Sequence, residues 1–305
     1  MGATRPIAHV ALIGLGLIGS SIARAVRERL PETRVTGYDA APEARATART
    51  LGFAHEIADT AAASVAGADL VILCVPVGAM GPVAEEIRDA ISADTIISDV
   101  GSSKASILAA LQAALPGRHV IPAHPVAGTE RSGPDAGFAT LFLNRWCILT
   151  PPEGADAAKV AALAGFWEAL GANVEQMDAP HHDLVLAVTS HLPHLIAYTI
   201  VGTASDLESV TRSEVIKYSA GGFRDFTRIA ASDPTMWRDV FLSNKDAVLE
   251  MLQRFSEDLT ALQRAIRWGD GDALFDLFSR TRAIRRSIIE EGQDDARPDF
   301  GRSGQ

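Results

Sequence analysis

In the first half of the chain, short continuous apolar runs alternate with longer alanine-rich stretches of helical periodicity. The apolar runs predict buried parallel strands at 9–13, 34–38, 70–75, 95–98 and 119–121. Helices are expected between them, for example over 20–28 and 107–115. This alternation predicts a doubly wound α/β sheet, which two further strand-like runs, 146–149 and 173–176, could extend.

After residue 179 the pattern changes to long amphipathic helices with almost no strand signal. A helix is expected to begin at Asp233, with Pro234 in its first turn. The stretch 236–267 that follows is amphipathic, and 272–291 resembles a final helix. The sequence therefore predicts an α/β domain over 1–179, an all-helical domain over 180–292 and a disordered tail over 293–305.

Charge and cysteine content narrow the class of protein. The formal net charge of −10 disfavours nucleic acid as the main partner, because phosphate binding usually needs a basic face. Cys74 and Cys147 give neither a disulfide framework nor zinc spacing, which fits a reducing cytoplasm. The first residues lack the features of a signal peptide, and no uninterrupted apolar run of about 18 residues occurs. We therefore expect a soluble cytoplasmic protein without a membrane segment.

The motif Gly14-Leu15-Gly16-Leu17-Ile18-Gly19 lies between the first strand and the first helix. Its first glycine permits a tight turn, the second lets the backbone approach a pyrophosphate, and the third allows close helix–strand packing. Asp39, twenty residues after Gly19, ends the second strand, where a carboxylate suits the ribose hydroxyls of NAD and repels the 2′-phosphate of NADP. The motif predicts an NAD site. The alternative is a glycine-rich turn in an unrelated α/β fold.

Later strand ends supply further cofactor contacts, because ligands of open α/β sheets bind beyond the carboxyl ends of the strands. Cys74-Val75-Pro76 closes the third long run, and Asp99–Lys104 closes the next. Ser102 in the second loop could also be the N-cap of the following helix, and both roles can hold together. The predicted cofactor-binding residues are Gly14, Gly16, Leu17, Ile18, Gly19, Asp39, Cys74, Val75, Pro76 and Ser102.

His124 follows the apolar run 119–121, in a loop that continues to Gly133. An imidazole at this sheet edge can accept a proton from a substrate hydroxyl while hydride leaves the same carbon. A histidine before a proline in a loop is more often structural. From residue types alone, both roles stay open.

Three segments resemble the prephenate/arogenate (cyclohexadienyl) dehydrogenase family. The first is Gly-Ser-x-Lys at 101–104 followed by His-Pro-x-Ala-Gly-Thr-Glu-x-Ser-Gly at 124–133, and the second is Ser-His-Leu-Pro-His at 190–194. The third is Gly-Gly-Phe-Arg-Asp-Phe-Thr-Arg-Ile-Ala at 221–230, followed by Ser-Asp-Pro at 232–234 and Trp237. The resemblance covers residues 8–290. It implies oxidative decarboxylation of prephenate, or of arogenate, with hydride transfer to NAD, which gives 4-hydroxyphenylpyruvate or tyrosine in tyrosine biosynthesis.

The resemblance also implies roles for single residues. His124 matches a catalytic histidine that bonds the C4 hydroxyl, and Ser102 matches a serine that touches this histidine and the nicotinamide region. Arg228 matches an arginine that anchors a substrate carboxylate. The other matched substrate-pocket residues are Thr129, Ser190, His191, His194, Gly221 and Trp237. In family members that dimerise through the helical domain, this tryptophan comes from the partner subunit, so we expect a homodimer through that domain.

The pair His191 and His194 can also be interpreted without reference to the family. His191 and His194 share a helix face, where they could bind a metal or be core histidines satisfied by main-chain groups. No third metal ligand has recognisable spacing, so no metal is expected. Pro193 is expected to kink this helix. Arg224 stands where some relatives have lysine, and a guanidinium is not equivalent to an ammonium group.

Two other functions remain as alternatives. One is another two-domain dehydrogenase, such as the β-hydroxyacid type, which uses a lysine on the helix where this chain has His191 and His194. The other is a non-catalytic dinucleotide-sensing module. A sensor would not need His124, Ser102 and Arg228 to converge on one pocket.

Overall fold

A computed structural model of the protein describes residues 7–129, 131–206 and 221–290, so the expected tail over 293–305 lies outside the described residues. The chain divides into two compact units, Met1–Val248 and Leu249–Gln305. The first unit contains both sheets and all the predicted site residues. The second contains the end of one long helix and the whole of the next.

The first sheet has six parallel strands in the order β3-β2-β1-β4-β5-β6 within the described residues. The strands are β1 (His9–Ile13), β2 (Arg34–Tyr38), β3 (Glu56–Ile57), β4 (Leu70–Leu73), β5 (Ile96–Asp99) and β6 (His119–Val120). The helices that alternate with them are α1 (Leu17–Arg29), α2 (Pro42–Leu51), α3 (Ala61–Val65), α4 (Met80–Ile87) and α5 (Ala105–Ala114). This is the predicted doubly wound fold, with β3 as an additional short strand.

Both faces of this sheet are buried, which explains the continuous apolar runs. Val10 and Leu12 of β1 belong to one hydrophobic cluster, whereas Ala11 and Ile13 belong to the cluster on the other face. Successive side chains of a strand point to opposite faces, so a strand covered on both sides has no polar alternation.

The two later strand-like runs do not extend this sheet, so that expectation is wrong. They form a separate three-stranded sheet of β7 (Ala123–Pro125), β8 (Trp146–Leu149) and β9 (Asn173–Gln176), with α6 (Ala157–Ala169) between the last two. The main-chain N–H of Ile121 still donates to the carbonyl of Ile97, but Pro122 has no N–H with which to continue that ladder. The chain therefore leaves the first sheet at this point, and β7 pairs antiparallel with β8.

The helical part begins with one continuous stretch, Ala179–Asp206. It consists of α7 (Ala179–Leu186), a π-helical turn (Ala187–His191) and α8 (Leu192–Asp206). The irregular turn immediately precedes Pro193, where we expect a distortion because proline cannot donate a helix hydrogen bond. The remaining described helices are α9 (Gly221–Thr227), α10 (Pro234–Ser243), α11 (Lys245–Trp268) and α12 (Gly271–Glu290). Asp233 caps α10, as predicted, by accepting a hydrogen bond from the N–H of Met236.

By length and composition, Ala179–Asp206 is also long and apolar enough to cross a membrane, with a mean hydropathy of 1.6 over its most apolar window. Polar residues such as His182, Asp183 and His191 interrupt this stretch, so it contains no uninterrupted apolar run of about 18 residues. One such helix is weak evidence of a membrane span, because core helices of globular proteins can be equally long and apolar. This one places His182 and His191, both fully buried, against other parts of the protein.

Candidate active site

The glycine loop between β1 and α1 has the geometry of a phosphate-binding turn. Gly14 has a φ of +97°, and a Cβ on it would collide with the main-chain oxygen of Cys74. A Cβ on Gly19 would collide with the carbonyl oxygen of Gly14, so the helix packs directly on the turn. A Cβ on Gly16 would meet nothing within 4 Å, which leaves open space where a ligand can approach the backbone.

The first turn of α1 begins at Leu17 and Ile18, and Gly16 provides no side-chain cap. Its free N–H groups and the positive end of the helix dipole therefore suit an anion. Asp39 directly follows β2 and lies beside this loop, because its Oδ2 accepts a hydrogen bond of 2.8 Å from the N–H of Leu15. The residues present thus fit a dinucleotide, with the pyrophosphate at the helix start and the adenosine ribose at the carboxylate.

The next strand ends complete this edge of the sheet. β4 ends at Leu73, two residues before the predicted end, and the N–H of Cys74 bonds the carbonyl of Ile13 at 2.6 Å. Val75 is partly buried and Pro76 is exposed. Ser102, in the loop after β5, is also partly buried but does not cap α5, so the N-cap expectation is wrong. The helix begins three residues later, and its first N–H groups bond to Asp183 of α7 instead.

A buried ion pair fixes the position of β7. Lys104 and Asp99 are both fully buried and form a salt bridge. Lys104 also donates to the carbonyl oxygen of Ala123 at 2.7 Å, and Asp99 accepts from the N–H of the same residue at 3.3 Å. The pair therefore joins the end of β5 to the strand that carries His124.

His124 lies in strand β7 and not in a loop, because its main chain pairs with Ile148 of β8. The side chain is 8% exposed, and its Nδ1 lies 2.9 Å from Nε2 of His182. His182 in turn places its Nδ1 2.9 Å from Oδ1 of Asp183. A histidine that is held by a second histidine and a carboxylate has the arrangement of an oriented acid–base group.

The electrostatic surroundings keep His124 neutral. Burial lowers the pKa of His124 well below 6.5, and the nearby groups His182, Lys104 and His191 lower that pKa further. A neutral imidazole at physiological pH can accept a proton.

His191 is also fully buried and lies close to His124 and His182. The amide of Asn244 donates to Nδ1 of His191 at 3.1 Å and to the carbonyl oxygen of Asp183 at 2.8 Å. Burial lowers the pKa of His191 to about 4. Among the described residues, no group of three or more His, Cys, Asp or Glu could hold a metal. His191 is thus a buried neutral histidine next to the candidate base.

His194 and Trp237 form the next layer. Their rings are stacked with centroids 3.6 Å apart, and His194 Nδ1 bonds the carbonyl oxygen of Ser190 at 2.9 Å. Trp237 is 7% exposed, so within one chain it already lies against this histidine. Its contribution from a partner subunit stays a prediction.

The remaining predicted substrate residues lie at the surface. Arg228 is exposed, and its positive charge contributes to lowering the pKa of His194, after the larger effect of burial. Thr129 and Gly221 are also exposed. The structure thus brings Arg228 near the histidine layer. The roles of Thr129 and Gly221 stay predictions.

Sequence reasoning did not select His182, Asp183, Lys104 or Asn244. Their contacts with the site span 58, 79, 19 and 53 residues of sequence. The one available signal was the His182-Asp183 doublet just after the predicted domain boundary, since a carboxylate beside a histidine often orients its ring.

The chain is similar to known proteins over most of its length. Residues 22–176 match the family model "Prephenate dehydrogenase, nucleotide-binding domain", and residues 178–280 match "Prephenate dehydrogenase, dimerization domain". A cyclohexadienyl dehydrogenase of Zymomonas mobilis is 46% identical over 92% of this chain and 96% of its own length. A prephenate dehydrogenase of Bacillus subtilis is 34% identical over 92% of this chain and 76% of its own length.

A solved structure is similar over nearly the whole chain. It is a prephenate dehydrogenase from A. aeolicus in complex with hydroxyphenyl propionate and NAD+. The TM-score is 0.87 at 32% identity, and the match covers 93% of this chain and 99% of the other.

Proposed function

This chain belongs to the prephenate dehydrogenase family, and we propose that His124 is the general base of its reaction. The enzyme is an NAD-dependent oxidoreductase that oxidatively decarboxylates prephenate. One observation carries the proposed role: His124 is buried, neutral and held at Nδ1, and the residue before it bonds Asp99 at the carboxyl end of β5, a strand of the sheet that carries the glycine loop. The other ring nitrogen of His124 is therefore available to a substrate hydroxyl.

We propose which residues would contact each part of NAD, beginning at the glycine loop. Gly14, Gly16, Leu17, Ile18 and Gly19 would hold the pyrophosphate, and Asp39 the adenosine ribose. Cys74-Val75-Pro76 and Ser102 would lie along the path toward the nicotinamide. When bound, NAD accepts the hydride that leaves C4 of the substrate ring.

The chain's own residues orient the substrate and move one proton. His124 accepts the proton of the C4 hydroxyl as hydride leaves that carbon. The bond between C1 and its carboxylate then breaks, its electron pair completes the aromatic ring, and CO2 leaves. The proton returns to the phenol oxygen, so the products are CO2, the reduced cofactor and a phenol. We propose that Ser102 contacts His124 and the nicotinamide region and so helps to align the base with the reacting carbon.

An arginine suits the anionic end of the substrate. A carboxylate needs a charged donor, and the guanidinium fork of Arg228 can bond it with two N–H groups. The proximity of Arg228 to His194 supports placing the substrate beside the stacked His194 and Trp237 rings. Ser190, His191, Thr129 and Gly221 are proposed to line the same pocket.

We propose that the enzyme uses prephenate and also arogenate. The cyclohexadienyl dehydrogenase at 46% identity supports this breadth. The test is NADH formation, followed by absorbance, with prephenate, arogenate and simple β-hydroxyacids as separate substrates. We expect activity with the first two only. Activity with the hydroxyacids alone would overturn the proposed function.

We also propose a homodimer formed through the helical domain, with domains at 1–179 and 180–292. The match to a dimerization domain supports this assembly. Large apolar side chains are exposed on the helices, among them Val188 (48%), Leu242 (68%), Trp268 (72%) and Phe275 (71%). Exposed apolar surface of this extent is typical of protein–protein interfaces. The free cysteines Cys74 and Cys147 support a cytoplasmic location.

A further inference from the structure

Two side chains connect the ring of His124 to the start of α5. His182 bonds His124 on one side and Asp183 on the other, each at 2.9 Å. The carboxylate of Asp183 also accepts hydrogen bonds from the N–H groups of Lys104 at 2.7 Å and Ala105 at 2.9 Å. His182 is fully buried and Asp183 is 5% exposed, so water does not compete for these bonds.

The direction of each bond can be deduced from the carboxylate. The carboxylate of Asp183 receives two main-chain N–H donors at the start of α5, and a carboxylate can only accept hydrogen bonds. The proton between Asp183 and His182 therefore belongs to His182 Nδ1. Burial lowers the pKa of His182, so the ring is neutral and its Nε2 carries no proton. The proton between the two rings must then belong to His124 Nδ1.

This order leaves the lone pair of His124 on Nε2. We propose that His182 and Asp183 are positioning residues that hold His124 in the Nδ1-protonated tautomer, so that Nε2 is the base. The assignment rests on the proposed function, because it concerns the same proton transfer. As Nε2 takes the hydroxyl proton, the bond from Nδ1 to His182 becomes charge-assisted and strengthens. That proton later returns from Nε2 to the phenol oxygen, and the Nδ1 proton stays in place throughout.

Other titratable and charged groups also face His124. After burial, which has the largest effect, His182, Lys104 at the start of α5 and His191 of the π turn each lower the pKa of His124. The charge of Lys104 is offset by Asp99. His182 can assist the protonated ring of His124 only as a neutral hydrogen-bond acceptor at Nδ1, because a positive charge on His182 would lower the pKa of His124.

The first experiment reads the tautomer directly and does not depend on activity. Full-length protein labelled with 15N-histidine is examined by NMR at neutral pH, and the His124 signals are identified among the eight histidines by their loss in His124→Asn. We expect a neutral His124 with the proton on Nδ1. A proton on Nε2 would overturn the proposal even if the enzyme is fully active.

The second experiment separates positioning from a purely structural role. His182→Phe keeps a ring but removes the acceptor, and His182→Gln restores an acceptor through its amide oxygen. Asp183→Asn removes the charge: an amide oxygen at the Oδ1 position can still accept from Lys104 N–H and His182 Nδ1, but the NH2 at the Oδ2 position then faces the N–H of Ala105 and cannot accept from it. The loss of the charge and of one acceptor should therefore weaken the hold on His182 and, through it, on the ring of His124. The matched control is His181→Phe, at the exposed neighbouring position.

We expect His182→Phe and Asp183→Asn to lower kcat by about 10- to 10⁴-fold, up to the full worth of a positioned acid–base group. The KM values for substrate and NAD should change little. His182→Gln should recover most of the loss, and the control should resemble wild type. A near-normal kcat in His182→Phe, or an equal loss of kcat in the His182→Gln and His182→Phe variants, would refute the positioning role of His182. If the wild-type enzyme forms no NADH with prephenate or arogenate, the proposed function is refuted instead. The tautomer of His124, measured by NMR, then still tests the positioning role of His182 and Asp183.

Discussion

The ammonium group of Lys104 is fully buried beneath strand β7, where it forms a salt bridge with Asp99. Burial lowers the pKa of Lys104 and raises that of Asp99, and their mutual contact opposes both shifts. Both side chains also bond the main chain of Ala123, the residue before the proposed base. The ion pair therefore holds His124 at the sheet edge without touching it through a side-chain hydrogen bond.

Removing one partner of this pair should destabilise the fold strongly. Lys104→Met leaves a buried carboxylate without its counter-charge, and such losses cost about 3–5 kcal/mol. The measurement is the free energy of unfolding in urea, followed by circular dichroism. Adding Asp99→Asn to that variant should restore part of the loss. Arg49→Met, which breaks the exposed pair with Asp59, is the control and should have a much smaller effect. Equal effects of the buried and exposed changes would contradict this role.

His124→Asn should lower turnover by about 10²–10⁴-fold, the usual worth of a positioned acid–base group, and should leave NAD binding almost unchanged. The variant keeps a polar side chain but removes the base. NADH formation gives the turnover, and fluorescence titration gives the NAD affinity. Turnover near that of wild type would remove His124 from the mechanism.

The pH dependence follows from the direction of the His124 pKa. The base acts in its neutral form, and burial lowers its pKa well below 6.5. Turnover should therefore stay constant as pH falls from neutral through 6.5, and should decline only at more acid pH, as His124 becomes protonated. A decline centred at the ordinary histidine pKa would mean that the ring is solvated during the reaction.

Much of the fold and part of the site were predictable from sequence because they depend on local patterns. Five strands of the first sheet, all except the short β3, follow from apolar runs, and the cofactor loop follows from the spacing of Gly14, Gly16 and Gly19. The expectation that the runs 146–149 and 173–176 extend the first sheet was wrong. The chain leaves that sheet at Pro122, and the strand with which each later run pairs is decided by tertiary contacts. Contacts such as Asp183 with the start of α5 are set by tertiary packing, and local spacing carries no information about them.

Asp39 should determine the choice of cofactor. Its carboxylate is fixed beside the glycine loop by the N–H of Leu15, where it would repel a 2′-phosphate. NAD should be preferred over NADP by at least about tenfold, or about 1.4 kcal/mol. Asp39→Asn keeps an acceptor for Leu15 and removes the charge, whereas Asp39→Ser shortens the side chain as well. Steady-state kinetics with both cofactors should show a narrowed preference in each variant. Equal use of NAD and NADP by wild type would contradict the assignment.

The oligomeric state is tested by light scattering at micromolar concentration, where we expect a dimer. Phe275 of α12 is 71% exposed in the single chain. If it lies in the interface, Phe275→Glu should weaken the dimer, because a carboxylate would be buried without a partner. Arg280→Glu, on a different side of the same helix, introduces the same group and should leave the dimer intact. A fully active wild-type monomer would also exclude a cross-subunit role for Trp237.

Arg228 should bind the substrate and not the cofactor. Arg228→Gln keeps most of the length and some donors but loses the charge, and charge-assisted hydrogen bonds contribute about 1.5–3 kcal/mol. The KM for prephenate should therefore rise by roughly 10- to 150-fold, while the KM for NAD changes little. Arg228→Lys should rescue only part of the loss, since an ammonium group cannot form the bidentate pair.

The control for this change is Arg224→Gln, one helical turn earlier and also exposed. It removes the same charge from the same segment, so an effect of net charge alone would appear in both variants. We expect only Arg228→Gln to raise the KM for prephenate by tenfold or more. Arg228→Gln should also raise the pKa of His194, because the positive charge that helps to lower it is gone. If the KM for NAD rises as much as the KM for prephenate, Arg228 stabilises the fold of this region and does not anchor the substrate.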